Sequence, residues 1–203
     1  AAAAAKQRAP RVAARAFEEE LGVQPPLGYW DPLGFSKDGD YEEFYRRREA
    51  ELKNGRVAMY ATIGYMVPEY WRIPGFLSPS KDLTFEQIPN GLQALGKVPL
   101  EGWLQILAYC GWLEVVVNQP QNPEEPGNYY KGRLGALPLT KISDEEGRKR
   151  SLNAELANGR LAMMAIIGMF FQDGLTGSAW GDWSLYTNSP LRARASSDDF
   201  HRA

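Results

Sequence analysis

Residues 155–168 read ELANGRLAMMAIIG, and residues 51–64 read ELKNGRVAMYATIG. Extended by two residues at an offset of 104, the two stretches agree at ten of sixteen positions, with Glu, Asn, Gly, Arg, Ala and Met in fixed order. A repeat of this length is one structural unit used twice, so two equivalent helices related by an approximate two-fold axis are expected. On a helix Glu51 and Asn54 share a face, while Arg56, five residues on, lies about 140° round from Glu51 at ~3.6 residues per turn. Glu and Arg of one copy therefore point apart. Where two copies cross, Glu51 meets Arg160 and Glu155 meets Arg56, so one short motif yields two reciprocal ion pairs.

The 203 residues suit a single domain, 1–203, most of it in long helices. A net charge of −2 and a mean hydropathy of −0.42 are values typical of a soluble protein. Six Trp, ten Tyr, eight Phe and twenty Gly weigh against that reading, because they describe a chain rich in flat rings and in places of close backbone approach. The charge balance offers no nucleic-acid footprint. Cys110 and His201 each stand alone in their residue type, which removes intramolecular disulfides, zinc sites, histidine-ligated haem and His-based triads.

Along the chain, Pro25, Pro26, Pro32, Gly28 and Gly34 forbid a regular helix before residue 40, and Tyr29, Trp30 and Phe35 mark that loop as packed on a surface. A first helix is expected over about 40–72, opened by Asp40 as N-cap and stopped by Pro74 and Gly75. At ~1.5 Å per residue it is ~48 Å long, against ~30 Å of bilayer hydrocarbon. Only twelve residues between Arg56 and Glu69 are free of charge, so a buried core helix is the competing reading of this segment. Residues 73–98 hold one amphipathic piece with Phe85, Ile88, Leu92 and Leu95 on one face, expected to lie flat in an interface. A second helix is expected over about 99–117 and a third over about 144–173, with the Pro-rich 119–128 between them.

Charge placement separates the soluble from the membrane reading. Lys and Arg number nine before Asn54 and six between Asn118 and Ser151, but two between Ile73 and Val98 and three after Gln172. Three spanning helices with the first and third entering from the basic side satisfy the positive-inside rule. The fold class expected is therefore an all-α membrane protein with three transmembrane helices, the first and third a crossed pair, and short interfacial amphipathic helices.

Ionisable residues within a membrane are functional by default. A carboxylate paired with Arg is close to neutral yet keeps a lone pair facing away from the guanidinium. Such an oxygen suits the axial position of Mg²⁺ in a flat tetrapyrrole. Asn54 and Asn158, one turn on, offer amide oxygens. Ala58, Ala61 and Gly64 recur as Ala162, Ala165 and Gly168, which leaves room for a close helix crossing or for a flat ring. Taken singly, each feature reads as a structural staple or as packing; their recurrence in one order and spacing favours ligands.

ExxNGRxAM occurring twice, WDPLGF before the first copy and FQDGLTG after the second resemble the light-harvesting chlorophyll-binding protein family, over nearly all of residues 20–192. IPNGLQALGKVPLEGWLQI and GSAWGDWSLYTNSPLRA resemble its chlorophyll a/c branch more than its chlorophyll a/b branch. The resemblance implies chlorophyll a, chlorophyll c and carotenoids of the peridinin, fucoxanthin or diadinoxanthin type as cofactors. It implies Glu51, Glu155, Asn158, Gln172, Glu114 and Gln105 as magnesium ligands, with Arg160 and Arg56 holding the two repeated Glu residues. Asn54 stands where many members have His, Gln105 and Glu114 are nine residues apart, and no His follows Gln172 before His201. Loops 31–35 and 134–138 would hold carotenoid end groups.

The expected function is thus a non-enzymatic antenna in the thylakoid membrane of the chloroplast, with its N-terminus in the stroma. Its expected partners are a photosystem I or II core, neighbouring antenna subunits and thylakoid lipids. The rival within the family is an energy-dissipating, photoprotective member. The remote rival is a soluble helical bundle using Glu51, Glu114 and Glu155 as a carboxylate metal site, without the Glu-x-x-His motifs such bundles carry.

Overall fold

The computed structural model describes residues 17–36, 39–118, 126–129, 133–134, 137–138 and 144–179. Helix α1 (Tyr41–Tyr70) starts on Asp40, whose Oδ1 accepts the Glu42 N–H at 3.0 Å. Glu42 and Glu43 put negative charge on the first turn, where exposed N–H groups and the helix dipole favour it. Pro68 lies inside the helix without ending it. It cannot donate to the Gly64 carbonyl four residues back, and the chain stays helical for two residues more. Beyond the helix, Arg72 bonds the carbonyls of Glu86 and Ile88 at 2.7 and 2.9 Å, and Gly75, at φ +118°, turns the chain.

The next segment is a loop of short turns. A short antiparallel pair, β1 (Phe76–Ser78) and β2 (Leu83–Thr84), brackets a 3₁₀ turn at Pro79–Lys81. Further 3₁₀ turns follow at Phe85–Gln87 and Gly91–Gln93, then the single turn α2 (Ala94–Lys97). Pro89 supplies no N–H, and Gly91 takes φ +71°, so the apolar spacing of Phe85, Ile88, Leu92 and Leu95 is interrupted before a helix can propagate. Helix α3 (Leu100–Trp112) passes directly into a π turn, Leu113–Val117, closed by Asn118 N–H on the Leu113 carbonyl at 2.7 Å. The tight pair β3 (Arg133–Leu134) and β4 (Leu137–Pro138) falls in the second Leu-Gly loop.

Helix α4 (Glu145–Thr176) opens on Asp144, whose Oδ2 accepts the Gly147 N–H at 3.1 Å. It runs three residues past the expected end near 173. Gly174 remains helical, and the left-handed stop is Gly177, at φ +74°, donating to the Asp173 carbonyl at 2.8 Å.

Packing divides the chain into two compact units, Ala1–Val57 with Leu113–Leu161 and Ala58–Trp112 with Ala162–Ala203. In the first, Leu52 and Leu156 are buried and Phe17 stacks on Phe44 with ring centroids 4.2 Å apart. In the second, Ala58, Ala162 and Ile166 form the core, with Met59, Tyr65, Met163 and Met169 packed round them. Asp173 is 5% exposed and accepts the Tyr65 hydroxyl at 2.7 Å and the Leu92 N–H at 2.6 Å.

Two stretches, Leu100–Val117 and Glu145–Thr176, are long and apolar enough to cross a membrane, with best mean hydropathies of 1.2 and 1.3. No residue of α3 or of the π turn is buried. The described part of the chain is thus mostly helical with two candidate spans, while α1 has the length but not the charge-free run.

Candidate functional site

The first half of α1 meets the first half of α4 at two glycines. A Cβ on Gly55 would lie 3.0 Å from the Gly159 Cα, and the reverse holds equally. Backbone contact this close brings the flanking side chains within ion-pair reach in both directions. Arg56 Nε donates to Glu155 Oε1 at 2.6 Å, and Arg160 Nε donates to Glu51 Oε1 at 2.7 Å. All four side chains are partly buried, between 27% and 42% exposed.

Each guanidinium also ties down a loop. Arg160 donates through a terminal nitrogen to the Gly22 carbonyl at 2.7 Å, and Arg56 to the Gly127 carbonyl at 2.8 Å. Gly22 and Gly127 adopt φ +89° and +83°, and a Cβ on either would press on Leu156 or Leu52 at 2.9 Å. The two-fold relation therefore extends from helices to loops, with a glycine carbonyl completing each Glu–Arg pair. Sequence reasoning missed these glycines because their neighbours differ. The available signal was spacing, since Gly22 lies 29 residues before Glu51 and Gly127 lies 28 before Glu155.

The copies differ in one respect at the pair itself. Glu51 Oε2 also accepts a hydrogen bond from Arg48, whose counterpart in the second copy is Leu152. Glu155 Oε2 has no hydrogen-bond partner among the described residues. Arg48 lies against the Glu51 carboxylate with its own side chain 10% exposed.

The remaining sequence-predicted residues stand apart. Asn54 and Asn158 are exposed one turn beyond the carboxylates. The Asn158 amide nitrogen is held by the Ala154 carbonyl at 2.9 Å, so its oxygen is the atom left to face outward. Gln105 is exposed on α3, Glu114 is exposed on the π turn, and Gln172 is exposed near the end of α4. Glu114 Oε2 accepts from Lys53 Nζ at 2.7 Å. Among the described residues no group of three or more His, Cys, Asp or Glu is placed to hold a metal ion together. Glu51, Glu114 and Glu155 accordingly do not converge on one metal centre.

The small-residue series divides its duties. Ala58 and Ala162 are buried, whereas Gly64 and Gly168 are exposed, and a Cβ on either glycine would have nothing within 4 Å. Exposure follows the repeat as well. Over 51–66 and 155–170 the two copies agree in burial at every position except Lys53 against Ala157 and Met66 against Phe170.

Residues 17–174 match the family described as chlorophyll A-B binding protein. The chain is 41% identical over 165 residues to fucoxanthin-chlorophyll a-c binding protein F, chloroplastic, of Macrocystis pyrifera, covering 79% of this chain and 76% of that protein. It is 41% identical over 162 residues to the corresponding protein D of the same organism, covering 78% and 87%. Against protein A of Phaeodactylum tricornutum it is 41% identical over 162 residues, covering 79% and 81%. With the doubled helix motif, its crossed ion pairs and this extent of matching, the chain belongs to the chlorophyll A-B binding protein family.

Proposed function

We propose that this protein is a membrane antenna that binds chlorophyll a, chlorophyll c and a carotenoid of the fucoxanthin type, and passes excitation to a photosystem. The observation that carries the reading is the pair of reciprocal Glu–Arg contacts, which hold two carboxylates nearly neutral on partly buried helix faces. The donor set fits chlorophyll magnesium. It consists of carboxylate and amide oxygens, which a hard cation prefers, and Glu155 Oε2 keeps its lone pairs uncommitted among the described residues. Gly64 and Gly168 leave open helix surface against which a flat ring can lie.

Chlorophyll, when bound, supplies light absorption and excitation transfer. This chain's own residues hold and space it. Glu51, Glu155, Asn54, Asn158, Gln105, Glu114 and Gln172 are the ligands on this reading, and Arg56 and Arg160 keep the two repeated carboxylates oriented. The whole chain acts as one pigment-binding domain.

On the same reading α1, α3 with its π turn, and α4 all span the bilayer. At ~1.5 Å per residue, 30 residues of α1 reach ~45 Å, enough for ~30 Å of hydrocarbon at a tilt. Its charges at Glu51 and Arg56 are tolerated because each is paired across to α4. The basic segments lie in the stroma, and the membrane is the thylakoid of a chloroplast, in keeping with the chloroplastic relatives. A photosystem core, neighbouring antenna subunits and thylakoid lipids are the partners.

The test is an absorbance and fluorescence-excitation spectrum of the detergent-purified protein with its extracted pigments separated by chromatography. Chlorophyll a emission excited through chlorophyll c and the carotenoid is the expected result. A colourless protein that needs no detergent would overturn the reading.

A further inference from the structure

The doubled motif first breaks at Lys53, whose counterpart is Ala157, and this is also one of the two places where burial departs from the repeat. The odd charge is directed to the π turn, which has no copy among the described residues. Lys53 Nζ lies 2.7 Å from Glu114 Oε2, and the Asn118 amide donates to the other oxygen at 3.2 Å. Tyr129 lies beside this pair. Its ring centroid is 5.7 Å from Lys53 Nζ, and its hydroxyl donates to Glu49 at 2.8 Å.

Glu114 is thereby treated as Glu51 and Glu155 are: a carboxylate on a helical turn is given a cation from a separate segment of chain. An exposed Lys–Glu pair of this kind adds little to folding stability in water. Lysine binds as a point charge, where arginine presents a fork, so it neutralises the carboxylate while covering less of it. The π turn matters too, because π turns are rare and recur at functional sites.

We infer that Lys53 is a positioning residue that neutralises and aims the Glu114 carboxylate, making the π turn a third ion-paired oxygen site for a magnesium tetrapyrrole. The inference rests on the antenna reading above. It gives the lysine-for-alanine difference within the repeat a purpose, and it makes this site distinct from the two arginine-backed ones.

The full chain is reconstituted with chlorophyll a, chlorophyll c and fucoxanthin, and two quantities are read: pigment per polypeptide and thermal unfolding by far-UV circular dichroism. Lys53→Gln is expected to lose the chlorophyll of the π turn, and Lys53→Arg to keep it. The double variant Lys53→Gln/Glu114→Gln is expected to regain it, because a neutral amide oxygen needs no counter-ion. A Lys53→Gln protein with the full complement of chlorophyll would overturn the inference and leave the antenna reading standing. A double variant as pigment-poor as Lys53→Gln would also overturn it, since the pair would then be structural; this comparison serves equally if Lys53→Gln alone folds poorly. Failure of the unmodified chain to take up any chlorophyll would bring down the antenna reading and this inference with it.

Discussion

Gly55 and Gly159 pack backbone to backbone, a Cβ on either falling 3.0 Å from the Cα of the other. The contact sets the spacing at which Arg56 reaches Glu155 and Arg160 reaches Glu51, so both ion pairs depend on two absent methyl groups. Gly55→Ala or Gly159→Ala should force the helices apart and cost about 1–3 kcal/mol, as overpacking of a tight contact does. Gly168→Ala is the control. Nothing lies within 4 Å of that position, and the gain in helix propensity is about 1 kcal/mol at most. Thermal unfolding followed by circular dichroism separates the two, and equal melting of Gly55→Ala and Gly168→Ala would refute the role of the crossing.

How much of this was legible in the sequence follows from which contacts are encoded twice. Glu51, Arg56, Glu155 and Arg160 occur in a repeated motif, and helical geometry alone forces each Arg to look for the Glu of the other copy. Gly55 and Gly159 sat in the same motif, yet the small-residue series pointed a turn further on, to Ala58 and Gly64. Periodicity does not say which of several small residues is the point of contact. The segment before α3 reads from its apolar spacing as a loop with one amphipathic piece, and Pro89 and Gly91, which interrupt backbone hydrogen bonding, divide that piece into short 3₁₀ turns and a single α turn. The Lys53–Glu114 and Tyr129–Glu49 contacts lacked any repeat to announce them, being single long-range pairs between unlike segments.

The glycine loops carry a prediction of their own. Gly22 and Gly127 both have positive φ, and both offer their carbonyl to the guanidinium of a repeated Arg. Alanine at either site meets left-handed strain and a side chain at 2.9 Å, so Gly22→Ala and Gly127→Ala should each cost about 1–3 kcal/mol. Gly28→Ala shares the backbone strain, since its φ is +64°, but has nothing within 4 Å. The difference between Gly22→Ala and Gly28→Ala in melting temperature therefore reports the packing against Arg48, Arg160 and Leu156.

Glu155→Gln tests the carboxylate directly. The variant keeps the size of the side chain and an oxygen that can accept from Arg56, and it removes the negative charge opposite that guanidinium. Removing one member of a fully buried pair costs on the order of 3–5 kcal/mol, and the partial exposure of this one puts it at the lower end. A glutamine amide oxygen can still ligate magnesium, so the ligand role is read from Glu155→Leu. On the antenna reading that variant loses a chlorophyll absorbance band together with stability. An unchanged visible spectrum in a folded Glu155→Leu protein would count against Glu155 as a ligand, whatever its melting temperature.

Tyr129 provides a pH dependence with a definite sign. It is 6% exposed, and burial pushes its phenol pKa upward, reinforced by the hydrogen bond to Glu49 and by the charge of that carboxylate. A tyrosine in the unfolded chain titrates near ~10. Because the folded state holds the proton more tightly, the stabilisation tied to it is fully present below that value and is lost as pH rises above it, towards the folded pKa. Tyr129→Phe keeps the ring near Lys53 and Arg56 but removes the titrating group and leaves Glu49 without that donor. The variant should be less stable than the unmodified chain at neutral pH, and the gap should narrow as pH is raised beyond ~10. Unfolding midpoints in denaturant for both proteins, measured from neutral pH upward, decide it. Parallel curves throughout would mean that the phenol proton has no part in holding this loop to α1.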